Sequence, residues 1–316
     1  MNFNAIPLNF GYTPDHSHIA SFAAGLPKTY DASIAKLVAD DDGKDVLLYR
    51  PLIQCLQKVP ALASKWLIQD GSTARLKSFN QGQIGSCVGN AEAMCISITA
   101  AIDIVQKGQP EQFQYMCSPE AMYGIGREAG NMLGSGDGCF GSAVAEGETK
   151  IGTLWQTKYP SIDLSDYSVS TCKQLGRVGI PKDLKDEAGK HKIVTAYQVK
   201  TADEAWSLIG AGNAINQCSD IGFNGQRDSD GAIKKNGSWG HSMAIVGRRT
   251  TAAGRKLFLI INSWGDDWTQ GPLFEDQPPG SFYADFNTVG QAIGQGDVFV
   301  KIDLNGIQRI IDWNNW

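Results

Sequence analysis

Histidine is scarce in this chain, and its cysteines lack the spacings that metal sites use. The sequence has four histidines in 316 residues, and none of its seven cysteines belongs to a C-x-x-C pair. The usual zinc patterns are therefore absent. No P-loop or G-x-G-x-x-G fingerprint occurs either, which excludes the common nucleotide-binding motifs. We expect a protein with no metal and no cofactor.

Long basic runs and long apolar runs are also missing. No cluster of Lys and Arg is present and the formal net charge is −5, so we expect no nucleic-acid partner. No stretch reaches the roughly 18 uninterrupted apolar residues of a membrane-spanning helix. The best candidate, 91–105, is interrupted by Glu92 and Asp103. We therefore expect no membrane partner.

The N-terminus does not have the pattern of a secretory signal. Its first basic residue is Lys28, so the positively charged start of such a signal is absent. Seven is an odd number of cysteines, which leaves at least one thiol unpaired. The sequence therefore predicts reduced thiols and a cytoplasmic protein that no signal peptide exports.

The chain changes character along its length, and no internal repeat is present. Helical spacing begins at Pro51 and returns over 86–105, and a glycine-rich loop at 133–147 leads into a short helix. After about residue 192, short apolar runs bounded by Gly, Asn or Asp predict strands. They lie at 192–199, 214–218, 242–246, 257–261 and 297–302. Helices first and strands second indicate an α+β fold.

Cys87 stands out among the cysteines because of its surroundings. It follows a glycine-containing turn, residues 80–86, and begins a predicted helix. The N-terminus of a helix carries partial positive charge and free N–H groups, and both stabilise a thiolate. A thiolate is the nucleophilic form of cysteine. Cys87 is therefore the candidate nucleophile, whereas a buried apolar role suits the other cysteines.

Two downstream residues complete a catalytic set. His241 begins the predicted strand 242–246, and Asn262 follows the apolar strand 257–261. A Cys–His pair whose imidazole is oriented by an amide is a recurrent arrangement for acyl transfer. The pattern therefore predicts that Cys87, His241 and Asn262 act together.

Three segments in this order resemble the signature regions of papain-like cysteine peptidases. They are Asn-Gln-Gly-Gln-Ile-Gly-Ser-Cys at 80–87, Gly-His-Ser-Met-Ala at 240–244, and Asn-Ser-Trp-Gly-x-x-Trp at 262–268. The third segment is the most specific of the three. The resemblance implies a two-lobed fold, with the cysteine on a helical lobe and His241 and Asn262 on an antiparallel, β-barrel-like lobe. It also implies a peptide or protein substrate.

The resemblance assigns further roles. Gln81 matches the glutamine of the family's oxyanion hole, and Trp264 would shield the hydrogen bond between His241 and Asn262 from water. Residues 138–142, Gly-Cys-Phe-Gly-Ser, are similar to the loop in which a glycine backbone pairs with the substrate, which makes Gly141 a substrate-binding candidate. The departures from the family are Val88, Gly240 and Ile84. Ile84 replaces a cysteine whose family partner matches Cys139, so that disulfide cannot form.

The resemblance divides the chain into three parts. Residues 71–272 would form the catalytic domain, and 273–316 a C-terminal extension packed on it. Residues 1–70 would be an N-terminal extension, either structural or similar to an inhibitory prosegment. The helical motif typical of the family's long propeptides is not found there.

Three functions remain open at this stage. The first is a cysteine endopeptidase or related thiol hydrolase, which predicts an open cleft between the lobes with Cys87 and His241 facing each other. The second is a structural or assembly protein, conceivably of a phage virion, that keeps the fold and triad; it predicts a filled cleft or one buried in a homo-oligomer or larger assembly. The third is another acyl-transfer enzyme, but those usually orient the histidine with Asp rather than with an Asn such as Asn262.

Overall fold

The N-terminal part of the chain is mainly helical. In this computed structural model, residues 10–106 and 113–304 are described, so the outer ends of both predicted extensions, 1–9 and 305–316, lie outside the described residues. The first elements are α1 (His16–Gly25), α2 (Thr29–Ala39), β1 (Val46–Leu47), α3 (Tyr49–Gln57), α4 (Pro60–Trp66) and the hairpin of β2 (Leu67–Asp70) and β3 (Thr73–Leu76).

A helical lobe follows. It contains α5 (Cys87–Gln106), α6 (Pro119–Ala129), α7 (Gly141–Lys150), α8 (Val169–Val178) and α9 (Lys182–Ala188), with a 3₁₀ turn at Gly189–His191. Local sequence explains the start of α6, because the Ser118 hydroxyl accepts the N–H of Ala121 and Pro119 occupies the first turn. Both are preferred at helix N-termini.

An antiparallel sheet forms the second lobe. Its elements are β4 (Ile193–Gln198), α10 (Ala202–Gly210), β5 (Ile215–Arg227), β6 (Ile233–Thr250), β7 (Lys256–Ile261), β8 (Ser281–Asp285), α11 (Phe286–Ile293) and β9 (Val298–Leu304). The strand order is β4-β9-β5-β6-β7-β8, and β1 pairs with β6. The α+β class is confirmed. Among the described residues β4 and β8 do not pair, so the barrel-like lobe is an open sheet.

Helix α5 lies between the two lobes. It packs on β5 and β6 on one side and on α3 and α6 on others. It is long and apolar enough to cross a membrane by length and composition alone, but 83% of its most apolar window is buried inside the protein. A helix that is apolar all round is typical of a buried core helix, so the boundary between the lobes positions the first residue of α5, Cys87.

Both predicted extensions contribute to the body. In the N-terminal one, β1 pairs with β6, and Asp41 accepts a 2.8 Å hydrogen bond from the buried guanidinium of Arg248. In the C-terminal one, β9 lies between β4 and β5 in the sheet. The described parts of both extensions are therefore tied to the strand lobe by backbone pairing. The proposed three-part division of the chain stays a prediction.

Candidate active site

Cys87 is the first residue of α5, at the boundary of the two lobes. Its side chain is completely buried. Burial raises the pKa of its thiol, while the backbone N–H groups of Ser242 and Val88 face the sulfur and oppose that rise. Val88 belongs to the first turn of α5, and Ser242 is the neighbour of His241 on β6. The sulfur thus lies where the cysteine helix meets the histidine strand.

His241 is held by Asn262. The imidazole Nε2 lies 2.7 Å from Asn262 Oδ1, and the same oxygen accepts the N–H of Ser263 at 2.7 Å. Since Oδ1 only accepts, Nε2 must carry the proton. Nδ1 is then the basic nitrogen, and it has no hydrogen-bond partner among the described residues. Such a ring is set to take a proton from a thiol.

Trp264 lies against the imidazole. The two ring centroids are 4.6 Å apart with an interplanar angle of 30°. Trp239 and Trp268 pack edge-on against Trp264, at 5.2 and 5.3 Å. This aromatic cluster excludes water from one side of His241, which is the position that the shielding role needs.

Gln81 points its amide toward the cleft. The hydroxyl of Ser263 donates to Gln81 Oε1 at 2.7 Å, which fixes the orientation of the carboxamide. The Nε2 group then donates to the carbonyl of Ile84 at 2.8 Å and to that of Phe10 at 3.1 Å. A donor aimed at a carbonyl in the cleft is what an oxyanion hole requires.

The cleft is filled by residues 10–13, which we call the cover segment. The Phe10 ring lies 5.5 Å from His241 and 4.6 Å from Trp264, centroid to centroid. Phe10 is itself buried, with 8% of its surface exposed. The open cleft that the peptidase hypothesis predicts is therefore not observed in this form of the protein, because a segment of its own chain lies across the catalytic groups.

Backbone pairing holds the cover segment in place. Cys139 donates its N–H to Gly11 O at 2.7 Å and accepts the N–H of Thr13 at 3.1 Å, a parallel bridge. Gly11 has φ +106°, and a Cβ there would lie 2.1 Å from the carbonyl oxygen of Gly85. Both the backbone angle and the close approach require glycine at position 11.

The side chain of Tyr12 enters the protein beside α7. Its hydroxyl donates to Asp297, and burial raises its pKa. The Asp297 carboxylate also accepts the N–H groups of Gly141 at 2.7 Å and Ser142 at 2.8 Å. The N–H of Gly141 is thus used at the start of α7, while Cys139 pairs with the cover segment. Gly141 as a substrate-binding residue stays a prediction.

Burial shifts the pKa values of both members of the candidate pair. Burial lowers the pKa of His241 to about 4, and the hydrogen bond that its ring donates to Asn262 only partly opposes it. Burial also raises the pKa of Cys87. Under the cover segment the pair is therefore a neutral thiol and a neutral imidazole, rather than a thiolate and an imidazolium.

Several residues of the site belong to no recognisable sequence motif. Phe10, Gly11, Tyr12 and Asp297 reach it through tertiary contacts between distant parts of the chain. Ser263 is different, because it stands inside the Asn-Ser-Trp segment. That position is the sequence signal for its role of orienting Gln81. Within the described ranges, no group of His, Cys, Asp or Glu that could hold a metal ion is present.

Asp297 leads to a pH prediction. Burial raises its pKa to about 6, whereas an unfolded Asp titrates near 3.9. The folded state therefore binds the extra proton, and the contribution of this proton to stability is lost as the pH rises from about 4 to about 6. We expect the free energy of unfolding of Asp297→Asn, relative to the unsubstituted chain, to increase across that window by on the order of 3 kcal/mol.

Urea unfolding at a series of pH values would measure this change, with Asp276→Asn as the control. The Tyr49 and Arg50 side chains bind the Asp276 carboxylate, and its pKa is lowered although burial acts in the opposite direction. The relative stability of the control should be nearly flat above pH about 4.5. Equal pH dependence in the two variants would show that Asp297 does not hold a proton in the folded protein.

The fold is similar to that of solved cysteine proteases. Xylellain, a cysteine protease from Xylella fastidiosa, matches with a TM-score of 0.52 and 17% identity over 93% of this chain and 91% of its own. Procathepsin B S9 from Trypanosoma congolense matches with 0.53 and 10% over 94% and 87%. The proform of the ragweed pollen protease Amb a 11 matches with 0.52 and 16% over 91% and 74%. No family model matches, and no curated protein does.

Proposed function

We propose that this chain, which has the two-lobed fold of papain-like cysteine proteases, is a cysteine peptidase with Cys87 as nucleophile, His241 as base and Asn262 as the residue that orients the base. The observation that carries the proposal is the fixed tautomer of His241. Asn262 Oδ1 at 2.7 Å holds the proton on Nε2 and leaves Nδ1 as the basic atom. Nδ1 has no partner among the described residues, and the next residue on the same strand, Ser242, turns its N–H toward the Cys87 sulfur.

The reaction follows from the positions of these groups. The Cys87 proton passes to His241 Nδ1, and the thiolate attacks the carbonyl carbon of a peptide bond. The oxyanion receives hydrogen bonds from Gln81 Nε2 and the backbone N–H of Cys87. His241 then protonates the leaving amine as the C–N bond breaks. Water, activated by the same imidazole, hydrolyses the thioester and restores the thiol.

The cover segment makes the described form a latent one. The carbonyl of Phe10 occupies the Gln81 donor, and the Phe10 ring covers His241. A substrate can reach the cysteine only after this segment leaves. Beneath it, Ser263 orients Gln81 and Asn262 orients His241, which supports a mechanism that begins when the cover leaves.

The filled cleft also favours a second candidate function. A structural or assembly protein, conceivably of a virion, would keep the cleft closed permanently and would have no need of its catalytic set. Gln81, His241 and Asn262 nonetheless keep hydrogen bonds oriented for acyl transfer, which supports the enzyme. The peptide substrate, the cytoplasmic or virion location and any oligomer stay predictions.

A full-length chain with the cover displaced tests the proposal. Gly11→Val places a side chain against the Gly85 backbone and should expel the segment. This variant is expected to cleave an unfolded protein such as reduced casein, and the double variant Gly11→Val, Cys87→Ser should not. The matched control is Gly11→Val, Cys55→Ser, because Cys55 is a buried thiol elsewhere in the core. Absence of cleavage by Gly11→Val and by a second opened chain, Phe10→Ala, would favour the structural role.

A further inference from the structure

Asn216 lies buried on β5, directly behind the catalytic cysteine. Only 2% of its surface is exposed. Its Nδ2 donates to Glu92 Oε2 at 2.8 Å and to the carbonyl of Val88 at 3.3 Å. Its Oδ1 accepts the hydroxyl of Ser242 at 2.6 Å. The carboxamide therefore connects α5 of the helical lobe with β6 of the strand lobe.

The two residues that Asn216 connects have a shared property. Val88 and Ser242 are the residues whose backbone N–H groups face the Cys87 sulfur. Val88 follows the cysteine on α5, and Ser242 follows the histidine on β6. Each residue thus offers its N–H to the sulfur and binds Asn216 through another of its atoms. A change in the separation of the lobes would move one of these donors away from the sulfur.

We propose that Asn216 is a positioning residue, which holds the two backbone donors of the Cys87 thiolate at a fixed separation across the lobe boundary. The inference rests on the proposed peptidase function and adds a residue that none of the three signature segments contains. Asn216 does not touch the reacting atoms itself. It acts through Val88 and Ser242, and backbone donors stabilise a thiolate only at short distance and good alignment.

The far side of Asn216 is anchored as well. Glu92 is fully buried and forms an ion pair with the buried Lys301 of β9, and Glu148 of α7 lies 3.8 Å from the same ammonium. Both Nδ2 protons and Oδ1 of Asn216 have partners, so its side chain cannot turn without losing hydrogen bonds in the core. Buried groups bound in this way are rigid because an unmade hydrogen bond is unfavourable.

Loss of this anchor should weaken the thiolate. In the opened Gly11→Val chain, Asn216→Ala is expected to raise the apparent pKa of Cys87 by about one unit, which is a tenfold smaller thiolate fraction at acidic pH. The other titratable groups near the sulfur stay in place: Cys139 and Asp137 on the loop before α7, and Cys218 on β5. We expect kcat to fall about tenfold and KM to stay within threefold, because peptide binding does not use Asn216.

The test compares the rate of Cys87 alkylation by iodoacetamide from pH 4 to 9, and kcat and KM on a peptide substrate, in full-length Gly11→Val chains. The matched control is Asn213→Ala. Asn213 is equally an asparagine with little exposure, 4%, and its Nδ2 group donates to the carbonyl of Leu208 on α10 at 3.1 Å. Ser242→Ala, a smaller change, serves as a second variant should Asn216→Ala fail to fold, and should raise the same pKa.

The outcomes separate the inference from the function on which it rests. A raised pKa and lowered kcat in Asn216→Ala and Ser242→Ala, absent in Asn213→Ala, would support the positioning role. Identical pH profiles in Asn216→Ala and Asn213→Ala, with an active parent, would overturn the inference alone. A parent Gly11→Val chain without a reactive low-pKa thiol and without cleavage would overturn the proposed function, and the role of Asn216 with it.

Discussion

Replacing His241 with alanine in the opened Gly11→Val chain is expected to lower kcat/KM by about four orders of magnitude or more. In the proposed mechanism the imidazole accepts the Cys87 proton and protonates the leaving amine, and Asn262 holds the ring. Among the described residues, His16 is exposed, His18 binds Ser142 and Glu146, and His191 packs on Trp155, so none of them is placed to replace it. The measurement is the initial rate of cleavage of a fluorogenic peptide.

A matched control comes from His191. This histidine lies on the 3₁₀ turn and packs its ring 5.7 Å from that of Trp155, outside the site. His191→Ala should leave kcat/KM within about twofold of the opened parent. If His241→Ala kept more than a tenth of the parent activity while His191→Ala did the same, His241 could not be the base.

Gly11→Val alone is expected to accelerate alkylation of Cys87 in the full-length chain by about 100-fold at pH 7. Besides the Tyr12–Asp297 side-chain contact, three hydrogen bonds bind the backbone of the cover segment, from Gln81 to Phe10 O, from Cys139 to Gly11 O, and from Thr13 to Cys139 O. At about 1 kcal/mol each, they keep the site closed by about 3 kcal/mol, or two powers of ten in accessibility. Mass spectrometry of the alkylated peptides would identify the modified cysteine.

Gly43→Val is the control for the backbone effect of that substitution. Gly43 has φ +68°, but a Cβ there would have nothing within 4 Å, so the same residue change meets the same backbone restriction without a clash. Its Cys87 should react as slowly as in the unsubstituted chain. Equal acceleration in both variants would mean that general destabilisation, rather than displacement of the cover segment, exposes the thiol.

The elements around the candidate site could be predicted better than the segment that covers it. The predicted helix and strands are confirmed as α5, β6 and β7, with Cys87 at the start of α5 and Asn262 directly after β7. His241, expected at the head of a strand, lies inside the longer β6. The contact of Gly11 with Gly85 has no such signal, because it depends on where a loop lies in three dimensions. The same holds for Tyr12 and Asp297, which are far apart in the chain.

Local patterns are weakest toward the ends of the chain. Clear helical spacing begins only at Pro51, yet the region before it contains α1 and α2, whose mostly exposed residues weaken the apolar periodicity. The predicted strand near 297–302 is confirmed as β9, yet its position between β4 and β5 could not be known. Strand order depends on long-range pairing, which local patterns do not encode. The longer extents of β5 and β6 were missed because glycines and polar residues interrupt their apolar runs.

The backbone pairing of β1 with β6 and the Asp41–Arg248 ion pair have a consequence for how this protein could mature. Residues 14–17 are exposed, between the cover segment and the body of α1, whereas the chain from β1 onward is tied to the strand lobe. A protease nick at 14–17 would therefore separate the cover segment from the rest of the extension. The part from β1 onward would stay with the strand lobe, held by its backbone pairing and by the Asp41–Arg248 ion pair.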